Sequence, residues 1–351
     1  MNDRADADLA HHRRTEPPSA HDSDDVLLRV EDLQVSIRGP RQTTRVVDGV
    51  SFAVRRGQTL GLVGESGSGK TMTGLAVMRL LPRMAAVSGG RIIFEGADLL
   101  GFNAQQMRRI RGRRIAMVLQ DSTASLDPSF TVGNQIGEAI ARHRGGDRSA
   151  VRRGVIESLR MVRMPSPEVR AQNYPHQLSG GMRQRAASAV ALSCRPDLLI
   201  ADEPTTALDV TIEAQYLRLL KRLQAEMNIG VVLISHNLNV VRHMASTVAV
   251  MYAGQIVEVG PTKDVFGNPR HPYTRALLNC VPSVDQSTRL DAIPGQPPDL
   301  AAPPDGCRFA ERCRYARDEC RMSAPALSER APEHLARCFG TAPDGWIDSS
   351  P

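Results

Sequence analysis

Four short apolar runs in this chain each stop at a polar group: "TLGLVG" at 59–64, "IAMVLQ" at 115–120, "LLIADE" at 198–203 and "VVLISH" at 231–236. Continuous rather than alternating hydrophobicity marks strands covered on both faces, as in a parallel sheet. Parallel neighbours end on the same edge, and ligands of such sheets sit beyond the carboxyl ends of the strands. The pattern predicts an α/β fold whose four polar endings meet on one edge. At 351 residues the chain also exceeds one core of roughly 250 to 300 residues, so it has room for an appendage.

The first ending is "GESGSGKT": Gly64, Glu65, Ser66, Gly67, Ser68, Gly69, Lys70 and Thr71. It follows a predicted strand and opens the helical pattern "TMTGLAVMRLL". Glycines let the backbone wrap so that its N–H groups face phosphate oxygens, and the helix adds the positive end of its dipole. Lys70 would reach the β- and γ-phosphates of ATP, and the Thr71 hydroxyl would hold Mg²⁺. Composition sharpens this reading. The chain carries 41 Arg and 3 Lys, yet this position is Lys; a compact ammonium fits a tight phosphate loop where a planar guanidinium does not.

The third ending sets Asp202 and Glu203 side by side after a buried strand. Two carboxylates there are costly unless they meet a cation or do acid–base work. Asp202 can serve Mg²⁺ and Glu203 can polarise an attacking water. Gln120 and His236 close the other two runs and become candidates for sensing the γ-phosphate. A second anion site is predicted at "LSGGMRQR", where Ser179 caps a helix and Gly180 and Gly181 expose backbone N–H groups. One nucleotide does not need both sites unless another subunit supplies the second.

The ordered set "GESGSGKT", "VLQD", "LSGGMRQR", "LLIADEP", "TALD" and "ISHN" resembles the nucleotide-binding subunit of an ABC transporter over residues 26–265. The resemblance implies a P-loop ATPase with a RecA-like parallel-sheet core, an antiparallel β subdomain and a helical subdomain at about 121–185. Two subunits would pair head to tail, with ATP between the P-loop of one and the signature of the other. Carried over by position, Asp202 would serve Mg²⁺, Glu203 would be the general base, His236 the γ-phosphate switch and Gln120 the coupling residue. Ser179, Gly180 and Gly181 would act across the dimer, and Asp209 would line its interface. Two departures stand out. The family's usual aromatic adenine platform is missing from "VSIRGPRQTTRVVDGVS", leaving Arg41 or Arg45 to stack, and the signature ends in Met182.

Beyond the core come "NPRHPYTRALLNCVP", a stretch broken by Pro294, Pro297, Pro298, Pro303 and Pro304, and the box "GCRFAERCRYARDEC". The prolines forbid a continuous helix and predict an extended connector. The HPYT and cysteine boxes resemble the C-terminal extension of dipeptide and oligopeptide importer ATPases of the peptide/nickel group, here residues 266–351 and of the D type. Cys307, Cys313, Cys320 and Cys338 follow the spacing C-x5-C-x6-C-x17-C. Structural zinc favours closer pairs, and the spacing is not a ferredoxin pattern, so free thiols, zinc and a cluster all stay open from the residues alone. The resemblance favours a 4Fe–4S cluster. Cys194 and Cys280 fall outside the pattern and read as buried thiols.

Residues 1–25 are polar and read as a disordered tail without a secretory signal. No run approaches the length of a membrane-spanning helix, and the chain should be cytosolic; the resemblance implies a peripheral place on the cytoplasmic face of the cell membrane. The resemblance further implies a second ATPase subunit, two permease subunits and an extracytoplasmic peptide-binding protein, with no nucleic acid. Nickel chelates or haem are the alternative cargoes. Chromosome and DNA-repair ATPases also pair a P-loop with a signature, but Lys70 and Ser179 are only 109 residues apart, leaving no room for the coiled coil of the first, and the cysteines follow a single ATPase core rather than sitting inside one of two heads as in the second. A regulatory subunit that binds ATP without hydrolysing it is opposed by Glu203 and His236.

Overall fold

The computed structural model describes residues 25–39, 42–120, 125–206, 208–280, 292–341 and 347. The predicted tail through residue 24, Arg41 and Asp121 lie outside the described residues. Two sheets organise the chain. The smaller is antiparallel and holds β1 (Val26–Arg38), β2 (Thr43–Arg55), β4 (Ala85–Phe94) and β5 (Ala97–Asp98) in the order β2-β1-β4-β5.

The larger sheet is mixed. Its parallel part comprises β3 (Thr59–Val63), β6 (Ile115–Val118), β7 (Leu198–Asp202), β8 (Gly230–Ser235) and β9 (Thr247–Tyr252). Four of these strands are the apolar runs singled out in the sequence. Why they are apolar throughout is visible in the packing. Leu60 and Leu62 of β3, Leu198 and Ile200 of β7, and Val232 and Ile234 of β8 face one core, shared with β1, β2 and β4. Their alternates Val63, Leu199, Ala201, Val231 and Leu233 face a second core on the other side, shared with the helices. A strand with two buried faces has no position left for a polar side chain.

Helix α1 (Lys70–Val77) follows β3 and lies on the sheet so closely that a Cβ on Gly74 would sit 3.0 Å from Ile234 Cδ1. Between β6 and β7 come α2 (Val132–His143), α3 (Arg148–Met161) and α4 (Gly180–Leu192); α5 (Val210–Met227) joins β7 to β8. Thr131, Asp147, Ser179 and Asp209 cap these four helices, each accepting a backbone N–H with its side-chain oxygen.

The C-terminal segment is built onto the same sheet. Strand β10 (Gln255–Pro261) pairs antiparallel with β9, and β12 (His334–Ala336) pairs with β10 and with β11 (Ser328–Ala331). The order across the larger sheet is then β11-β12-β10-β9-β3-β8-β7-β6. Helix α6 (Pro272–Asn279) starts at the HPYT box, where Pro272 occupies the first turn. One buried carboxylate ties these pieces together: Glu258 of β10 accepts the N–H groups of Arg270 at 2.6 Å and His271 at 2.9 Å, and lies 2.7 Å from His334 Nε2. Residues 292–304 form no helix, as the prolines predicted.

Candidate active site

The carboxyl ends of β3, β6, β7 and β8 do meet. Beyond β3, Gly64 takes φ 149°, and a Cβ there would lie 2.1 Å from the Met251 carbonyl oxygen. Gly69, at φ 101°, is likewise pressed against the Val46 carbonyl. Only glycine fits both requirements. The wrap brings Lys70, at the first position of α1, back over the loop. Its Nζ donates to the carbonyl oxygens of Gly64 at 2.8 Å and Glu65 at 2.9 Å, and to Ser68 Oγ at 3.4 Å. Burial pulls the Lys70 ammonium below its ordinary pKa, against the pull of Glu203, Asp202 and Glu65.

Beside it, Thr71 Oγ1 donates to Asp202 Oδ1 at 3.2 Å. Asp202 is only 2% exposed, and burial raises its pKa, helped by the Glu203 charge and opposed by Thr71 and Lys70. A buried carboxylate facing a hydroxyl next to a phosphate loop is the donor set that fits Mg²⁺. Glu203 follows in the left-handed region, φ 45°, with its N–H donated to the Ile234 carbonyl of β8 at 2.9 Å. Its Oε2 accepts from Gln120 Nε2 at 3.0 Å and Thr206 Oγ1 at 3.0 Å, and lies 3.0 Å from His236 Nδ1. Two strand ends and one turn therefore converge on a single carboxylate oxygen, itself at the end of β7.

The predicted signature residues are placed elsewhere. Ser179 Oγ accepts from Met182 N at 3.4 Å, capping α4, and Gly181 faces Ile212 of α5 so closely that a Cβ would stand 2.7 Å from its Cγ2. Asp209 caps α5 by accepting from Ile212 N at 2.9 Å. Ile212 thus links the signature to the segment containing Asp209. Arg45, one of the two proposed adenine platforms, donates to Asp48 at 2.9 Å.

The cysteine box packs against this site. Cys307, Cys313, Cys320 and Cys338 line one cavity of about 20 Å³ together with His271 and Phe309. Burial pushes the Cys307 and Cys313 thiols up to about 11, and the Cys338 thiol up as well, with the neighbouring cysteines adding to each shift. The neighbouring backbone N–H groups pull the other way: Phe309 for Cys307, Tyr315 for Cys313, and Thr341 and Gly340 for Cys338. Among the described residues, no group of three or more His, Cys, Asp or Glu is drawn together tightly enough to hold a single metal ion. Cys194 and Cys280 are half-buried rather than buried as expected, because each follows the last turn of a helix, α4 and α6, where the chain turns back to the surface; the Cys194 thiol donates to the Ala139 carbonyl of α2 at 3.5 Å.

The family described as ABC transporter matches residues 47–206, and that described as oligopeptide/dipeptide transporter, C-terminal region, matches residues 257–320. The probable peptide ABC transporter ATP-binding protein y4tR of Sinorhizobium fredii is 51% identical over 318 residues, 90% of this chain and 95% of that protein. The chain belongs to the peptide ABC transporter ATP-binding family. The dipeptide transport ATP-binding proteins DppD of Bacillus subtilis and Escherichia coli are 47% and 46% identical, each over 89% of this chain and 94% and 96% of their own. The dimeric bacterial ABC transporter cassette MJ0796 shares the fold with TM-score 0.61 at 24% identity, over 67% of this chain and 99% of that one. The cassette cbiO1 of Clostridium perfringens, part of the complex cbiONQ, gives TM-score 0.61 at 25% identity over 70% and 92%. This ABC family member is therefore an ATPase whose hydrolysis is coupled to transport. No helix among its described residues is long and apolar enough to cross a membrane.

Three residues at the ABC site were missed in the sequence. Thr206 was hidden because a threonine in a turn carries no periodic signal. Tyr273 and Arg312 come from the extension, more than 200 residues from the P-loop that they touch. Glu65, within the predicted phosphate loop, donates its N–H to Tyr273 and accepts the Arg312 guanidinium with its carboxylate.

Proposed function

We propose that this chain is the ATP-hydrolysing subunit that drives import of di- or oligopeptides through a membrane permease. The convergence of Gln120, Thr206 and His236 on Glu203 Oε2, beside the Thr71–Asp202 pair, is the observation that carries the assignment of roles. The P-loop amides and Lys70 bind the phosphates. Thr71 and Asp202 would hold Mg²⁺, whose charge offsets that on the phosphate oxygens. Glu203 takes a proton from water as it attacks the γ-phosphorus in line; the bond from that phosphorus to the β,γ-bridging oxygen breaks and ADP leaves carrying the charge, while Gln120 and His236 hold the carboxylate and report on the γ-phosphate. Little covalent chemistry is asked of the protein, and positioning and charge supply the rate.

We divide the chain into an ATPase core at 26–265, with a helical part at about 121–185, and an extension at 266–351. Ser179, Gly180, Gly181 and Asp209 serve the ATP site of a second ATPase subunit. The pair sits on the cytoplasmic face under two permease subunits fed by an extracytoplasmic peptide-binding protein. Support for the cargo comes from the relatives, whose names specify peptide or dipeptide transport. All four cysteines line one cavity. A set of four thiols lining one cavity, in an extension that resembles those of the peptide-importer ATPases, supports a 4Fe–4S cluster, with zinc as the alternative.

The deciding experiment is Glu203→Gln in the assembled transporter. ATP should still bind while turnover falls by about 10²- to 10⁴-fold, the usual contribution of a general base; unchanged hydrolysis would overturn the role of Glu203. For the cysteine box, iron and acid-labile sulfide are assayed after anaerobic purification, and the absence of both rejects the cluster.

A further inference from the structure

We propose that the C-terminal extension sets the ATP affinity of its own P-loop, with Arg312 and Tyr273 acting as positioning residues through Glu65. The inference rests on the reading of Gly64–Thr71 as the phosphate loop.

Every polar group of Glu65 is used. Its N–H donates to the Tyr273 hydroxyl at 2.9 Å. Its carboxylate receives both arms of the Arg312 guanidinium, Nη1 to Oε2 at 2.8 Å and Nη2 to Oε1 at 3.1 Å. Its carbonyl accepts from Lys70 Nζ at 2.9 Å and from Ser68 N at 3.2 Å. One P-loop residue is thus the joint between the extension on one side and the phosphate-binding lysine on the other.

The extension side of that joint is rigid. Tyr273 is fully buried, and its ring stands 4.6 Å from that of Tyr252 and 5.4 Å from that of Phe309. The Arg312 side chain is 6% exposed. Its guanidinium lies over the Tyr252 and Phe309 rings at 5.6 and 5.9 Å, and it also donates to Tyr252 Oη at 3.1 Å and the Pro294 carbonyl at 2.8 Å. A bidentate guanidinium fixed by aromatic faces holds a carboxylate in one place.

Two consequences follow for a loop that must accept a polyanion. A glutamate in such a loop carries the wrong charge, and its carboxylate acts on the Lys70 ammonium through space. Arg312 neutralises that charge and turns it away from the phosphates. Tyr273, by holding the Glu65 amide, fixes the backbone at the first turn of the loop before nucleotide arrives, which lowers the ordering cost of binding. Neither residue touches the reacting atoms, so their effect falls on ATP affinity rather than on the chemical step.

The test measures ATP binding to the full chain and the ATPase kinetics of the assembled transporter. Arg312→Met should raise KM and Kd for ATP about tenfold with kcat changed less than about twofold, because an uncompensated carboxylate then faces the phosphates. Arg312→Lys should recover part of that loss, and Glu65→Gln in the Arg312→Met background should recover most of it, since the stranded charge is gone. Tyr273→Phe, which deletes one hydroxyl, should raise KM about threefold. Unchanged ATP affinity in Arg312→Met, or a loss that Glu65→Gln leaves in place, overturns the inference. Lys70→Ala is measured alongside. If that variant keeps its ATP affinity, the phosphate-loop reading fails; if it loses affinity while Arg312→Met stays silent, the role of the extension alone is rejected.

Discussion

His236 Nδ1 and Glu203 Oε2 lie 3.0 Å apart at the ends of the adjacent strands β8 and β7. Thr206 closes the same carboxylate from the other side, through its hydroxyl at 3.0 Å. Because Glu203 sits at φ 45° on a backbone tied to Ile234, its side chain has few alternatives once these partners are in place. Thr206→Val keeps the shape and removes the hydroxyl. It should lower kcat about tenfold and leave KM for ATP unchanged. Steady-state hydrolysis by the assembled complex checks this, and a change confined to KM would contradict it.

Asp202 illustrates a site maintained against stability. Its pKa is raised chiefly by burial, so over the window between the unfolded and native values the native state holds more proton than the unfolded chain. Stability therefore falls as pH rises through that window, and at neutral pH the ionised carboxylate is a net cost. Asp202→Asn removes it. The nucleotide-free variant should be more stable at neutral pH while losing Mg²⁺-dependent hydrolysis. Thermal unfolding without nucleotide, set beside ATPase rates, measures both; a lower Tm would contradict the first half.

What was legible in the chain is what strand burial writes into it. The four apolar runs had no room for polar residues because alternate side chains face two different cores, and the residue ending each run was forced to the shared edge. Gln120, Asp202, Glu203 and His236 were readable for that reason. Thr206 was not, since its role depends on a turn geometry that no periodicity encodes. Tyr273 and Arg312 were not: a cysteine knot behind a proline-rich connector can staple the tail to an ATPase core, but nothing in the HPYT and cysteine boxes singles out residue 65 as the contact. Glu258 is a further case. Within the alternating strand "QIVEVGP" it reads as a solvent-facing acid, yet it is completely buried because His334 and two backbone N–H groups arrive from the extension to satisfy it.

The HPYT box should be sensitive to acid. His271 is 2% exposed, and burial, with the Arg337 charge, lowers its pKa from 6.5 to about 3. Its neutral Nδ1 accepts the Tyr273 N–H at 3.0 Å. As pH falls from about 6.5 toward 3, the unfolded chain takes up a proton that the native state refuses, so stability is lost over that range at up to about 1.4 kcal/mol per pH unit. His271→Asn can make the same helix cap without titrating. Unfolding free energies of variant and wild type, measured at pH 7 and pH 5, should converge at the upper value and separate at the lower, with the His271→Asn protein the less affected. Equal pH slopes for the two proteins would remove His271 from the account.

Gly180 offers the cleanest test of pairing between subunits. Added at that position, a Cβ would meet nothing within 4 Å, whereas at Gly181 it would strike Ile212. Gly180→Ala is therefore harmless within one subunit and, being at the start of α4, favours the helix by up to about 1 kcal/mol. Any functional loss must then arise from something that approaches Gly180 from outside the chain. If a second subunit's nucleotide docks on the Ser179–Gly181 amides, the added methyl obstructs it, and hydrolysis by the assembled complex should fall at least about tenfold with Tm unchanged or slightly raised. Full activity in Gly180→Ala would mean that this helix start faces no phosphate.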